Sequence, residues 1–353
     1  AESGSYWTNL EGTLQPAEEP FVSVGKLFAR VNFEEPDESV ERFLARFEDD
    51  ASMQPAVFAA RIFAEGFDAV HVGQASVQAI AHELTGSAGL ESPQYRPSAG
   101  YDRLLETFIG GLPRERFRLH LQTTVESVKW KAGSVRISAR RFGDSCSYDA
   151  DCAIVTVPVS ILQAGSIRFV PELPSRTRAA LQSIAMGPVL KVVMQFSHPF
   201  WMARDTRMSD AAFFFNKSTK FATFWTMYPR ISPVVVAWAA GGRTDRFSGM
   251  QPQAIVQDAI SDLALTLEMS NAELNDCLVS AHLHDWQRDP FSLGAYSYLR
   301  VGGNTAREEL AQPLERTVYF AGEATATDGR GGTVAGALIS GYTAAKALLD
   351  GRG

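Results

Sequence analysis

The chain has 353 residues, 45% of them hydrophobic and 21% charged, a composition that excludes a disordered polymer and leaves room for two lobes with cores of their own. Its formal net charge of −7, with no compensating Lys/Arg cluster, argues against a sequence-independent grip on nucleic acid. Three cysteines, Cys146, Cys152 and Cys277, lack metal-type spacing; they argue against a disulfide framework and mildly favour a reducing compartment.

The chain opens on Ala1 without a basic-then-apolar leader, so a processed product rather than one carrying a signal peptide is expected. From Pro36 to about Leu105 the text reads helical. Asp37 or Ser39 is a start signal for SVERFLARF, AVFAARIFAEGF follows, and Ser76 opens SVQAIAHEL. A β-rich section comes next. RFRLHLQ at 116–122 reads as a strand, and TVESVKW and SVRISAR read as a hairpin around a Lys131-Ala132-Gly133 turn. Cys152 to Val157 is a further short apolar strand that Pro158 ends.

Residues from about Ser160 to His284 read as one α+β insertion. Helices are expected at Arg176 to Ile184 and Gln253 to Leu267, with strands at Val189 to Phe196, Ala212 to Phe215 and Val234 to Ala239. Within the first of these strands, alternation puts Leu190, Val192, Met194 and Phe196 on one face and Lys191 and Gln195 on the other. A lysine so placed is either a cation on a solvated sheet face or a functional group. His282 and His284 share a strand face beside Asp285, yet two ligands without a third favour ordinary strand residues over a metal site. In WQRDPFSLGAYSYLRVGG at 286–303, aromatics alternate with glycine around an Asp289-Pro290 turn, a pattern open to core packing or to a cofactor box. No Ser/His/Asp or Cys/His nucleophile motif is recognisable.

The stretch from Arg316 to Leu349, RTVYFAGEATATDGRGGTVAGALISGYTAAKALL, carries the most information. Val318 to Gly322 reads as a strand covered on both faces, with Glu323 at its carboxyl end, where ligands of open α/β sheets collect. A loop with Gly329, Gly331 and Gly332 then leads to a helix opening near Thr333, whose free N–H groups favour a partial negative charge. Small residues within that helix, from Ala335 to Ala345, let its axis lie close to a sheet or a cofactor. Its polar residues fit a packed helix better than a membrane span, so a soluble, cytoplasmic protein without membrane contact is expected.

FAGEAT followed by GTVAGALISG resembles the carboxyl-terminal flavin-binding signature of the FAD-dependent amine oxidases, the family of monoamine oxidases, polyamine oxidases and lysine-specific histone demethylases. The resemblance implies an α/β fold of mixed α+β character: two lobes, with an incomplete Rossmann-like FAD lobe and an α+β substrate lobe. On that basis 1–100 is the helical part of the substrate lobe, 101–160 an FAD-lobe segment with the hairpin, 161–285 the α+β part of the substrate lobe and 286–353 the last FAD-lobe segment. The strand, GxGxxG turn and helix that hold the FAD pyrophosphate in the family do not occur in the chain, so a companion N-terminal fragment carrying them is an expected partner.

By the same resemblance MGPVLKVVMQF is similar to the segment whose lysine, here Lys191, holds a water against flavin N5. WxxDPxxxGxYSY matches with Trp286, Phe291 and Tyr296 bordering the flavin, and Tyr296 forms one wall of an aromatic cage for the substrate amine. The opposite wall is Thr333 rather than the second tyrosine of monoamine oxidases, which leaves the amine undetermined. Glu323 is implied to bond the ribityl chain, although from the residues alone it could equally hold the amides of its own loop. Thr333 and Val334 are implied to offer N–H groups to the pyrimidine edge, and Val125 to bind adenine through its backbone. Ala295 replaces the tethering cysteine, so FAD is expected to be non-covalent. The implied reaction oxidises a primary or secondary amine to an imine by hydride transfer to N5, with O2 reoxidation giving H2O2. Two alternatives stay open: a cofactor-free scaffold fragment, and an L-amino acid oxidase, which would need a fixed arginine for the substrate carboxylate.

Overall fold

The computed structural model describes residues 4–17, 20–85, 97 and 100–351. Helices and sheets are mixed throughout, and three large cores with two smaller clusters hold them together.

The first core is helical. Helices α1 (Pro20–Phe28), α2 (Val40–Ala45), α3 (Gln54–Ile62) and α4 (Val77–Thr85) bury Leu27, Phe28, Phe43, Leu44, Val57 and Ile80 against one another. The expected start signals are used. Ser39 Oγ accepts from Arg42 N at 3.2 Å, and Ser76 Oγ accepts from Ala79 N at 2.9 Å, each satisfying a donor that a helix start would otherwise leave open. Helix α3 runs into a π-turn at Phe63–Phe67, and the chain leaves it through Ala69, whose φ of 54° is a left-handed value. Helix α5 (Tyr101–Gly110) buries no residue.

A hairpin follows, as expected: β3 (Thr123–Lys131) and β4 (Ser134–Arg141) turn at Gly133, whose φ of 70° suits glycine, and β5 (Asp144–Ala150) adds an antiparallel edge. The expected strand at 116–122 is corrected. No strand forms there: Phe117, Leu119 and Leu121 are exposed, Arg116 N and Phe117 N turn back to Pro113 O, and the backbone bond from Phe142 N to Gln122 O does not extend into a ladder. Strand β6 (Ala153–Val155) is followed by α6 (Val159–Gln163) and β7 (Arg168–Val170), which pairs parallel with β3. Next come α7 (Ser175–Ser183) and β8 (Ile184–Gly187).

The third unit is a seven-stranded sheet built on β9 (Val189–Phe196). After α8 (Phe200–Arg204) come β10 (Ala211–Phe215), β11 (Thr223–Trp225) and β12 (Val234–Ala240). Helices α9 (Pro252–Thr266) and α10 (Asn271–Cys277) lead into β13 (Leu278–Leu283). The sheet also takes in an N-terminal hairpin that the sequence reading did not anticipate: β1 (Ser5–Leu10) lies parallel to β10, and β2 (Thr13–Ala17) forms the edge. The strand order is β13-β9-β12-β11-β10-β1-β2. Leu190, Val192, Met194 and Phe196 share the first-named face of β9 and sit in one core with Ile255, Ile260 and Leu263 of α9. Lys191 and Gln195 are exposed on the other face.

The end of the chain knits these units together. Strand β14 (Tyr296–Leu299) pairs with β8, and α11 (Ala306–Ala311) leads to β15 (Val318–Phe320), which lies parallel to β6 and is buried along its whole length. A single helical turn at Glu323–Thr325 and the glycine loop then deliver the chain to α12 (Val334–Asp350). Within β14 alternation divides the labour: Tyr298 enters the helical core, while Ser297 turns toward Arg307 of α11. Tyr296 and Ser297 of β14 and Glu323 beyond β15 are thereby brought to one place by two segments separated in sequence.

Candidate active site

Glu323 stands at the carboxyl end of β15. Its Oε2 accepts from Ser297 Oγ at 2.7 Å and from Gly332 N at 2.9 Å, and Ser297 N lies 3.2 Å from Oε1. The carboxylate therefore holds both a β14 residue and the amide of the glycine loop. Of the two roles open to it from sequence, loop capture is realised within the protein, and the lone pairs of Oε1 still have capacity.

The glycine loop is shaped by close approach. A Cβ at position 332 would stand 3.2 Å from Tyr296 Cδ2, and the φ of 70° there is left-handed. Thr333 caps α12, its Oγ1 accepting from Gly336 N at 2.9 Å and donating to Arg330 O at 2.8 Å. Val334 is the first residue of the helix, so its N–H is among the donors that a helix start leaves outside its own ladder. Thr333 and Val334 are exposed, so this helix start faces outward beside the Tyr296 ring.

Tyr296 is pinned at its far end, where the hydroxyl donates to Phe67 O of the π-turn at 2.5 Å. Burial, and then the nearby Asp68 carboxylate, push its phenol well above the usual range, so it stays a neutral ring. The next π-turn carbonyl, Gly66 O, accepts from Trp238 Nε1 at 2.5 Å. Trp238 faces Lys191 across the β9–β12 ladder, and it shares a cluster with Val189, Ala295 and Tyr296. Lys191, Trp238 and Tyr296 thus belong to one side of the molecule. Trp238 was missed in the sequence because nothing distinguishes it from an ordinary strand aromatic; only the cross-strand partner gives it away.

Trp286 is partly exposed and meets the His284 ring edge-on with centroids 4.3 Å apart. His284 Nε2 lies 3.0 Å from Asp289 Oδ2. His282 lies in β13 and His284 one residue beyond its end, so the expected pair of strand neighbours is split between the strand and the following loop. Phe291 is 63% exposed and lines, with Gln122, Thr123, Thr124, Arg140 and Phe142, a cavity of about 560 Å³. Val125 adjoins that cavity in sequence, beside a register shift in the β3–β4 ladder.

Three acidic groups and one arginine complete the arrangement. Asp68 is held well above the usual carboxylate range by burial and by Glu83. Glu83, on α4, is pushed up to about 7, first by burial and also by Glu323, while Arg307 pulls it down. Arg307 is 5% exposed. Asp68, Glu83 and Arg307 were not singled out in the sequence, since lone charges carry no pattern of their own.

The profile of flavin-containing amine oxidoreductases matches residues 9–349, and the chain belongs to that family. Among curated relatives, a lysine-specific histone demethylase 1 homolog 2 of Arabidopsis thaliana is 30% identical over 259 residues, covering 71% of this chain and 33% of that protein. The lysine-specific histone demethylase 2 of Homo sapiens is 28% identical, covering 70% of the chain and 29% of that protein. The chain thus matches about a third or less of the length of these relatives. Among solved structures, a putrescine oxidase variant superposes with a TM-score of 0.77 at 18% identity, covering 99% of this chain and 81% of that one. Cyclohexylamine oxidase from Brevibacterium oxydans gives 0.76 at 17% identity, with the same coverage. The mixed α/β fold of the amine oxidases expected from the sequence is the fold observed. No helix among the described residues is long and apolar enough to cross a membrane.

Proposed function

We propose that this chain supplies the substrate lobe and the flavin-facing edge of an FAD-dependent amine oxidase that converts a primary or secondary amine to an imine. The observation that carries this reading is the convergence of Tyr296, Glu323 and the Gly332–Thr333 turn on one edge, with Gly332 N bonded to Glu323 and its Cα against the Tyr296 ring. Such an edge fits the flat, hydrogen-bonding end of a flavin: a glycine backbone, an open helix start and a carboxylate with acceptor capacity left on Oε1. The cavity shared by Phe291 and the neighbours of Val125 fits a ligand long enough to reach from the aromatic box to the hairpin.

When bound, FAD supplies the redox chemistry, accepting a hydride from the amine α-carbon and passing electrons to O2 to give H2O2. The chain's residues bind and orient. Tyr296 and Trp238, both tied to the π-turn, offer ring faces to a substrate nitrogen. Lys191 keeps a cation on the same side of the sheet, where it holds water and favours oxygen reduction. With alanine at position 295, FAD is held without a covalent tether.

The pyrophosphate grip is proposed to come from a segment bearing a GxGxxG turn, in a longer polypeptide or a companion chain. Strands β6 and β15 form a two-stranded parallel pair, while α5 leaves Tyr101, Leu105, Phe108 and Ile109 exposed, an apolar face suited to such a partner. The test is flavin uptake by the full-length gene product, read as absorbance near about 450 nm, followed by peroxide release from a panel of amines. The relatives' names put putrescine, cyclohexylamine and a histone lysine in the first panel. Failure to take up flavin when FAD is added would overturn the reading.

A further inference from the structure

Arg307 is an arginine on a short helix, and nothing in its sequence context marks it. Its side chain is nevertheless almost wholly enclosed; Nη1 and Nη2 find acceptors, while Nε is buried without a hydrogen-bond partner among the described residues. Nη1 donates to Ser297 Oγ at 2.9 Å and to Glu323 O at 3.1 Å, and Nη2 donates to Ser297 O at 3.1 Å. The guanidinium also lies 3.9 Å from Glu83 Oε1 and 3.9 Å from Glu323 Oε2. One buried cation therefore ties together α4, β14 and the end of β15.

These bonds form a directed circuit. Arg307 donates to Ser297 Oγ, Ser297 Oγ donates to Glu323 Oε2, and the same oxygen accepts from Gly332 N. Each member orients the next, and chains of this kind strengthen one another in a low-dielectric setting. The glycine loop records the same contact from the other side. A Cβ at Gly331 would stand 2.4 Å from Arg307 Cζ and 2.4 Å from Nη2, so the residue is small because the backbone lies on the guanidinium plane. Lysine could not reproduce this, having a single point charge in place of a planar fork.

We propose that Arg307 is the positioning residue of the flavin edge: from inside the protein it fixes Ser297, Glu323 and the Gly331–Gly332 turn as one rigid unit against which FAD is seated. The inference rests on the flavin reading above. It concerns seating and charge, since Arg307 lies behind the residues that would touch the cofactor.

The test uses the full-length protein stripped of flavin, with FAD affinity measured by fluorescence titration and the midpoint potential of the bound flavin by dye equilibration. Arg307→Gln and Gly331→Ala are each expected to raise the Kd for FAD by about tenfold or more, the scale of losing a charge-assisted contact set. The double variant should lose no more than the worse single variant, because both changes break one contact. Arg307→Lys is expected to recover the midpoint potential that Arg307→Gln lowers, since it restores the positive charge, while recovering only part of the affinity.

Additive losses in the double variant, or unchanged affinity and potential in Arg307→Gln, would overturn the proposal while wild-type flavin binding still upholds the family reading. If wild type takes up no FAD, both fall together. Should Arg307→Gln fail to fold, Gly331→Ala reads the same contact from the loop, and unchanged FAD affinity there overturns the proposal.

Discussion

Tyr296 and Gly332 meet edge to backbone: the ring leaves 3.2 Å for any side-chain carbon at position 332, and its hydroxyl is anchored on the opposite side to Phe67 O. The ring is thus clamped between the π-turn and the glycine loop, so the helical block and the last segment of the chain share one wall. Replacing Tyr296 by Phe removes only the anchor. Loss of that hydrogen bond is expected to cost about 1 kcal/mol and to leave flavin binding unchanged. The checks are thermal unfolding and FAD titration.

Gly332→Ala attacks the other jaw of the clamp. The new Cβ must push the Tyr296 ring while the residue holds a φ of 70°, so the loop is expected to open and release Gly332 N from Glu323. A destabilisation of roughly 1–3 kcal/mol is expected from the strained backbone alone, together with weaker FAD binding. Stability and affinity moving apart, with affinity untouched, would contradict the assignment of this loop to the flavin.

Much of this was legible in the chain before any coordinates. A helix start near Thr333, Glu323 at a strand end and the alternation of Leu190 to Phe196 onto one face follow from local rules of hydrogen bonding and period, which a sequence states openly. Partners distant in the chain are what it conceals. Arg307 earns its place through Ser297 and Glu323, ten and sixteen residues away, and Trp238 through a carbonyl 172 residues away. The segment at 116–122 shows the converse, since a strand-like alternation stays irregular when its one cross-strand bond, Phe142 N to Gln122 O, is not continued into a ladder.

Lys191 lies on the exposed face of β9, opposite Trp238. If it serves oxygen reduction, Lys191→Met should leave anaerobic flavin reduction by amine nearly unchanged and slow reoxidation by oxygen at least tenfold, about 1.4 kcal/mol of barrier. Stopped-flow traces of the two half-reactions separate these effects. Equal reoxidation rates would return Lys191 to the status of an ordinary surface cation.

Glu83 gives the site a pH signature whose sign can be worked out. Its folded-state value of about 7 exceeds the ordinary 4.5, because burial and Glu323 disfavour the charged form more than Arg307 favours it. Facing it are Arg307 from α11, Glu323 beyond β15 and Asp68 after the π-turn, and Asp68 is shifted in the same direction. In the window between those two values the folded protein binds more protons than the unfolded chain, so stability falls as pH rises. The contribution is full below about pH 4.5 and is lost by the time pH passes 7. Because the side chain is 31% exposed, water reduces the effect, to on the order of 1–2 kcal/mol. Glu83→Gln cannot ionise, so its unfolding free energy should decline less than wild type between pH 5 and 8, with the residual slope belonging to Asp68 and other groups. Parallel profiles for the two proteins, measured by denaturant unfolding at each pH, would show that Glu83 is ionised alike in both states and that the acidic wall beside Arg307 is open to water.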